Sequence, residues 1–391
     1  MMMDIGEVTT LGVTRERSHS RAFGVKVRDR FLHLYAVGQT GTGKSSLLTR
    51  LASEDMDAGE GICFIDPHGD LAEGLSRITF RGEVYWNVAD PSCPYGYNPL
   101  TPAAARFRPL VASGLIDTLK KQWADAWGAR MEHLLRYAIL ALLEQPKASM
   151  ADIMPLFLDS DFRARVVSNV TDAQVRSFWT TEFDAMRYKG AVDGVAPIAN
   201  KLGAFLAHPV VRKAVCDPER PLRFRQIMDE GKVLIVNLAK GRLGTDTANV
   251  LGGLIVNAIA NAAYSRQDTP EDQRRPFFLY VDEFHNFTTS AFAGMLSELR
   301  KYKVGLVLAH QHTTQLDPGV LEAILGNVGT LISFRVGATD ADILAKQFGA
   351  DIPKPRDLVN LGNYEMFIKL MIDGRQSPPF SAVTLPPQLA A

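Results

Sequence analysis

Cysteine is scarce in this sequence. Among 391 residues there are three, Cys63, Cys93 and Cys216, scattered and without a CxxC pair. That excludes a disulfide framework and a cysteine-based zinc site, and makes a reducing cytoplasm the simplest compartment. The eight histidines also lack metal-ligand spacing; His310 and His312 stand two apart with no acid in the HExxH arrangement. Long apolar runs are missing too. The longest, 137–143 and 251–263, are too short or are broken by Gly and Asn. A membrane span needs roughly 18–20 apolar residues. Residues 1–10 carry acids and lack the basic-then-apolar order of a signal peptide. Neither sign of charge is in excess: Lys and Arg number 43, Asp and Glu 43. With 46% hydrophobic residues, this balance excludes wholesale disorder. It also excludes a uniformly basic nucleic-acid binder, though not a local basic patch.

What is present alternates between strand-like and helix-like runs. Residues 1–30 read as loops and short strands. Residues 31–37 (FLHLYAV) form a nearly continuous apolar run, as expected of a strand covered on both faces. A Gly-rich turn follows, then a helix from Lys44 with Leu47, Leu48 and Leu51 on one side. Further buried-strand candidates are 61–65, 84–86, 232–237, 277–281, 304–309, 330–335 and 364–372, with a helix over 245–263. Strands separated by helices predict an α/β fold with a largely parallel sheet. Residues 103–206 differ. Met131, Leu134, Leu135, Ala138, Ile139 and Leu142 recur at helical spacing, strand-like runs are absent, and Trp123, Trp127 and Trp179 fall here. The expected organisation is a nucleotide-binding domain in two parts, 1–102 and 207–391, with an all-α subdomain at 103–206 between them. Internal repeats are absent, and the Pro-containing tail, 378–391, is the one low-complexity tract.

The sharpest motif is Gly38-Gln39-Thr40-Gly41-Thr42-Gly43-Lys44-Ser45, a gapless GxxxxGK[ST] between a strand and a helix, with Ser46 following. Glycines let the backbone curl so that its N–H groups face phosphate oxygens. The helix N-terminus adds partial positive charge. Lys44 is assigned to the β- and γ-phosphates and Ser45 to Mg²⁺. A hydrolytic site also needs an acid at the end of another buried strand. Asp282 and Glu283 follow the 277–281 run: Asp282 for the Mg²⁺ shell, Glu283 to polarise the attacking water. Gln311, past the 304–309 run, is placed to report the γ-phosphate or orient water, or else to cap the next loop. Arg300 ends a helix whose apolar face is Phe292, Met295, Leu296 and Leu299. From spacing alone it is a cation offsetting the helix dipole.

The runs RDRFLHLYAVGQTGTGKSSLL, FIDPHGDL, LYVDEFHNF, LRKYKVGLVLAHQ and GNVGTLISFRVGATDADILA, in this order, resemble the HerA–FtsK superfamily of hexameric motors. Within it the resemblance is to TraD/TraG-like coupling ATPases of conjugation and type IV secretion, over about residues 23–387. It implies a RecA-like P-loop NTPase fold with an inserted helical subdomain, ATP and Mg²⁺ as cofactors, DNA as substrate and a homo-hexameric ring. It also implies secretion-channel or relaxosome proteins as partners. Lys44, Ser45, Asp282 and Glu283 match the family's Walker residues, and Gln311 its sensor glutamine. Arg300 matches a proposed trans-acting arginine finger, which shifts its reading from dipole cation to catalysis. Arg335 is a second arginine candidate, or a partner in a structural ion pair. Asp66-Pro67-His68-Gly69-Asp70 also recurs in the family. It serves the Mg²⁺ shell or subunit boundary, or is a rigid turn. The family's N-terminal transmembrane helices have no counterpart here, so a cytoplasmic protein recruited to the inner membrane by a partner is expected.

Three functions compete. The first is a DNA-translocating ATPase; Arg187-Tyr188-Lys189 mixes basic and aromatic residues as strand-tracking surfaces do, or is simply a solvated face. The second is an ATPase energising protein secretion or pilus assembly. The third is a nucleotide-dependent adaptor that recruits nucleoprotein cargo.

Overall fold

The computed structural model describes residues 8–15, 20–78, 83–186, 190–349 and 351–386. The run Arg187-Tyr188-Lys189 lies outside them. The chain forms two compact units. One comprises Met1–Tyr85, Phe224–Lys240 and Ala262–Ala391, the other Trp86–Arg223 and Gly241–Asn261.

The sheet has eleven strands: β1 (Val8–Thr14), β2 (Ala22–Lys26), β3 (Leu34–Val37), β4 (Gly61–Asp66), β5 (Val84–Asn87), β6 (Val233–Asn237), β7 (Phe277–Val281), β8 (Val304–His310), β9 (Thr330–Ser333), β10 (Glu365–Lys369) and β11 (Phe380–Thr384). Their spatial order is β2-β1-β11-β10-β9-β3-β8-β7-β4-β6-β5. From β9 to β6 every pairing is parallel. These strands are buried at every position, which is why they appear in the sequence as unbroken apolar runs. From β9 outward through β10, β11, β1 and β2 the pairing is antiparallel. There burial alternates, as in Glu365-Met366-Phe367-Ile368-Lys369, where only Met366 and Ile368 are buried. The helix Lys44–Asp57 lays Leu47, Leu48 and Leu51 into the core beneath the sheet.

Three expectations are corrected in detail. The 31–37 run is not all strand. Val27–Arg30 forms one helical turn, His33 takes φ 66°, and β3 starts only at Leu34. The 330–335 run stops at Ser333. The 364–372 run divides into Glu365–Lys369 and the short strand Met371–Ile372, which pairs with Arg375–Gln376. The Pro-containing tail contributes β11 between β1 and β10.

The other unit is helical over 103–186 and 190–206 among the described residues. Its helix Ala129–Leu142 buries Met131, Leu134, Leu135, Ala138, Ile139 and Leu142. Asp159 and Asp172 each cap a helix N-terminus by accepting two backbone N–H bonds. Tyr137 stacks on Phe178 with ring centroids 4.1 Å apart, and Trp179 meets Phe183 at 4.9 Å. In the same unit Asn257 donates to Thr118 Oγ1 at 2.6 Å and to the Gly114 carbonyl at 3.1 Å.

Candidate nucleotide site

β3, β4, β7 and β8 run in one direction, so the segments after Val37, Asp66, Val281 and His310 emerge at one end of the sheet. That end is where open α/β sheets bind ligands. A cavity of about 320 Å³ lies there, walled by the loop at Thr40–Ser46, by Asp66 and His68, by Asp282 and Glu283, and by Gln311 and Tyr364.

The loop after β3 is shaped by its own bonds. Gly41 and Gly43 take φ 76° and 123°, which L side chains rarely adopt. Thr42 Oγ1 donates to the Gln39 carbonyl at 2.7 Å, and Gln39 N–H donates to the Arg335 carbonyl at 2.8 Å. The helix then starts at Lys44 with its first N–H groups directed at the cavity. Lys44 is buried, and its ammonium donates to the carbonyls of Gly38 and, at 3.2 Å, Gln39. Burial lowers its pKa, opposed by the charges of Glu283 and Asp282.

The acids come from β4 and β7. Asp282 is buried, and its carboxyl is pushed up to about 7, first by burial, then by the negative charges of Glu283 and Asp66. Glu283 sits at φ 46°, a backbone conformation uncommon for a residue of its size. Its Oε1 accepts from Gln311 Nε2 at 2.9 Å, and its Oε2 lies 3.4 Å from His285 Nδ1. Asp66 accepts three backbone N–H bonds, from His68 at 2.9 Å, Leu71 at 2.8 Å and Ala72 at 3.0 Å. It therefore builds the turn and caps the helix Asp70–Ser76, while its charge still acts on Asp282. Gly69, at φ 104°, lets that turn pass Asn237, where a Cβ would come within 2.4 Å of Oδ1.

The predicted residues do not all converge. Lys44, Ser45, Ser46, Asp282, Glu283 and Gln311 line one cavity. Arg335 braces the loops behind it, donating to Gln39 Oε1 at 3.4 Å, to the Leu361 carbonyl at 3.2 Å and to Asn363 Oδ1 at 3.0 Å. Arg300 is exposed on a 3₁₀ turn, Leu299–Tyr302, that precedes β8. Gln311 follows the same strand, so the two stand at opposite ends of it, roughly 20 Å apart. His68, from the Asp66–Asp70 motif, also stands in the cavity wall; Tyr364 stands there without belonging to any motif. Tyr364 is reached only through topology, because β10 runs antiparallel and so begins where β3 and β9 end.

The donor set suits a nucleoside triphosphate with a divalent cation. In such a complex the loop N–H groups and Lys44 would face the phosphates, and the Ser45 hydroxyl and Asp282 the cation. The like charges that raise Asp282 are those a bound cation would relieve.

Solved structures match this fold over nearly the whole chain. The bacterial conjugative coupling protein TrwBdeltaN70 superposes with a TM-score of 0.69 at 18% identity, covering 96% of this chain and 91% of its own. The plasmid coupling protein TrwB in complex with ADP and Mg²⁺ gives 0.68 at 18% identity, with coverages of 98% and 96%. VirB4 of Thermoanaerobacter pseudethanolicus gives 0.67 at 14% identity, covering 98% of both chains. The fold is that of a RecA-like P-loop NTPase. Within it, β3 bears the phosphate loop and β7 the acidic pair. No protein-family model matches the chain, and no curated protein matches it by sequence. No described helix is long and apolar enough to cross a membrane.

Proposed function

We propose that this chain is an ATP-driven motor ATPase of the conjugative or type IV secretion coupling type, which hydrolyses ATP to move DNA. One observation carries the reading: Lys44, Asp282, Glu283 and Gln311, from three separate strand ends, wall a single cavity beside the loop Gly38–Ser45. The loop N–H groups and Lys44 hold the phosphates. Ser45 and Asp282 hold Mg²⁺, which supplies charge neutralisation when bound. Glu283, aligned by Gln311, orients the attacking water and takes its proton.

Arg300 has no route to its own cavity, so its catalytic role requires a neighbouring copy. This is the argument for a ring, here a homo-hexamer, built by a head-to-tail interface with the nucleotide at each subunit boundary. A secretion-channel or relaxosome protein brings the assembly to the inner membrane. The fold match to TrwBdeltaN70, a bacterial conjugative coupling protein, supports the conjugative reading. The test is ATP turnover with and without DNA at low salt. Stimulation by DNA is expected; absence of both stimulation and DNA binding removes this reading.

The balanced charge keeps one other reading, an ATPase that energises protein secretion or pilus assembly. It predicts the same turnover with no DNA dependence, and pull-down of channel components in its place.

A further inference from the structure

Seven large apolar or aromatic side chains are notably exposed among the described residues: Val8, Leu110, Leu158, Ile352, Val359, Tyr364 and Ile372. Tyr364 is the aromatic one, and it alone stands in the wall of the nucleotide cavity. Its side of the site is firmly built. Tyr364 N–H donates to the Thr42 carbonyl inside the phosphate loop at 2.7 Å, and its own carbonyl accepts from Thr384 N–H at 2.9 Å. A Cβ added at Gly43 would meet Tyr364 Cδ1 at 3.2 Å, so the ring lies against the loop. The preceding residues are tied by Arg335, bonded to Leu361 and Asn363, and by Gly362 N–H donating to Glu365 at 2.9 Å. Tyr364 holds φ 67°, where Gly or Asn would fit at less cost. An aromatic ring is thus kept half-exposed, on a strained backbone, beside a phosphate cradle, and its phenol makes no hydrogen bond among the described residues.

We propose that Tyr364 is the base-stacking platform of this site: its ring receives the nucleobase of a nucleoside triphosphate whose phosphates lie in the loop Gly38–Ser45. The inference rests on the nucleotide reading above. Stacking uses the π-face that every base has, so the platform binds purine nucleotides without selecting among them.

Titration calorimetry in Mg²⁺ with ADP, GDP and inorganic tripolyphosphate tests it. Tyr364→Ala is expected to weaken ADP and GDP alike, about tenfold, and to leave tripolyphosphate within about twofold. Tyr364→Phe is expected to bind as the parent does, and Tyr364→Leu, which keeps bulk without the π-face, to lose as Ala does. Equal loss of ADP and tripolyphosphate would mean that the ring only shapes the loop, and would overturn the proposal. So would an Ala variant that binds ADP normally. If Tyr364→Ala does not fold, as judged by its thermal unfolding, the Phe and Leu pair decides: equal ADP affinity in the two overturns stacking. A parent protein that binds neither ADP nor tripolyphosphate would overturn the nucleotide reading itself, and this proposal with it.

Discussion

Glu283 is held from two sides, by Gln311 on one carboxylate oxygen and His285 near the other, on a backbone at φ 46°. Such over-determination points a carboxylate at one place in the cavity. Glu283→Gln keeps the shape and loses the proton acceptor. Its nucleotide affinity is expected to stay within about threefold, while turnover falls by about two orders of magnitude or more. Titration calorimetry beside phosphate-release kinetics checks both halves. Lys44→Ala removes the cation facing the phosphates and is expected to abolish nucleotide binding in the same titration. At this scale the sequence was informative where chemistry is local. The phosphate loop is one unbroken motif, and Asp282-Glu283 closes an apolar run. Asp66 was legible as important but not in role, because its three N–H donors lie up to six residues on. Tyr364 was not legible at all. What makes it part of the site is the antiparallel turn of a strand far along the chain.

The helix Ser290–Glu298 and the 3₁₀ turn after it are pinned by side chains that take no part in the cavity. His33 Nε2 donates to the Leu296 carbonyl at 2.8 Å, and its Nδ1 accepts from Leu306 N–H at 3.1 Å. Arg266, fully buried, donates to the Tyr302 carbonyl at 3.0 Å, and Arg274 donates to that of Lys301. These bonds fix the backbone around Arg300 while leaving its guanidinium exposed. Arg300→Ala is therefore expected to unfold at the parent's temperature and to lose turnover in the assembled state. Mixed with Lys44→Ala subunits, it should regain turnover, since each supplies what the other lacks. An assembled Arg300→Ala protein with normal turnover would remove the finger role. His33 also gives a pH signature. Burial holds its pKa at about 4, below the ordinary 6.5. Below pH 6.5 the unfolded chain takes up a proton that the fold refuses, so stability falls as pH drops and levels off near 4. The full loss is about 3 kcal/mol. His33→Asn tolerates the left-handed backbone and lacks this titration. The parent's advantage over it in urea unfolding is expected to shrink between pH 7 and 4. The apolar run over 31–37 concealed this residue, since periodicity cannot register a positive φ at its centre.

At the scale of the molecule, the parallel half of the sheet was legible and the antiparallel half largely was not. Strands covered on both faces must be apolar throughout, so β3, β4, β6, β7, β8 and β9 stand out from the residues alone. β1, β2 and β11 are only partly buried, so their residues do not form unbroken apolar runs, and they acquire identity only by pairing. The net charge of zero first argued against a nucleic-acid substrate. A ring needs cations only along its channel, so the total does not decide. DNA-stimulated turnover does, with a salt dependence that steepens with the number of phosphates contacted.

The place of β11 has a further consequence, in time rather than space. It fills the gap between β1 and β10, and it is synthesised long after β1. Gly12 faces Thr384 across that pairing. β1 thus waits until Phe380–Thr384 is synthesised before its inner neighbour exists, and until then two strand edges stand open. A nascent chain halted before Phe380 should carry those edges bare. Pulse-labelled chains stalled there are expected to be protease-sensitive at β1 and prone to self-association, and chains released beyond Thr384 to be protected.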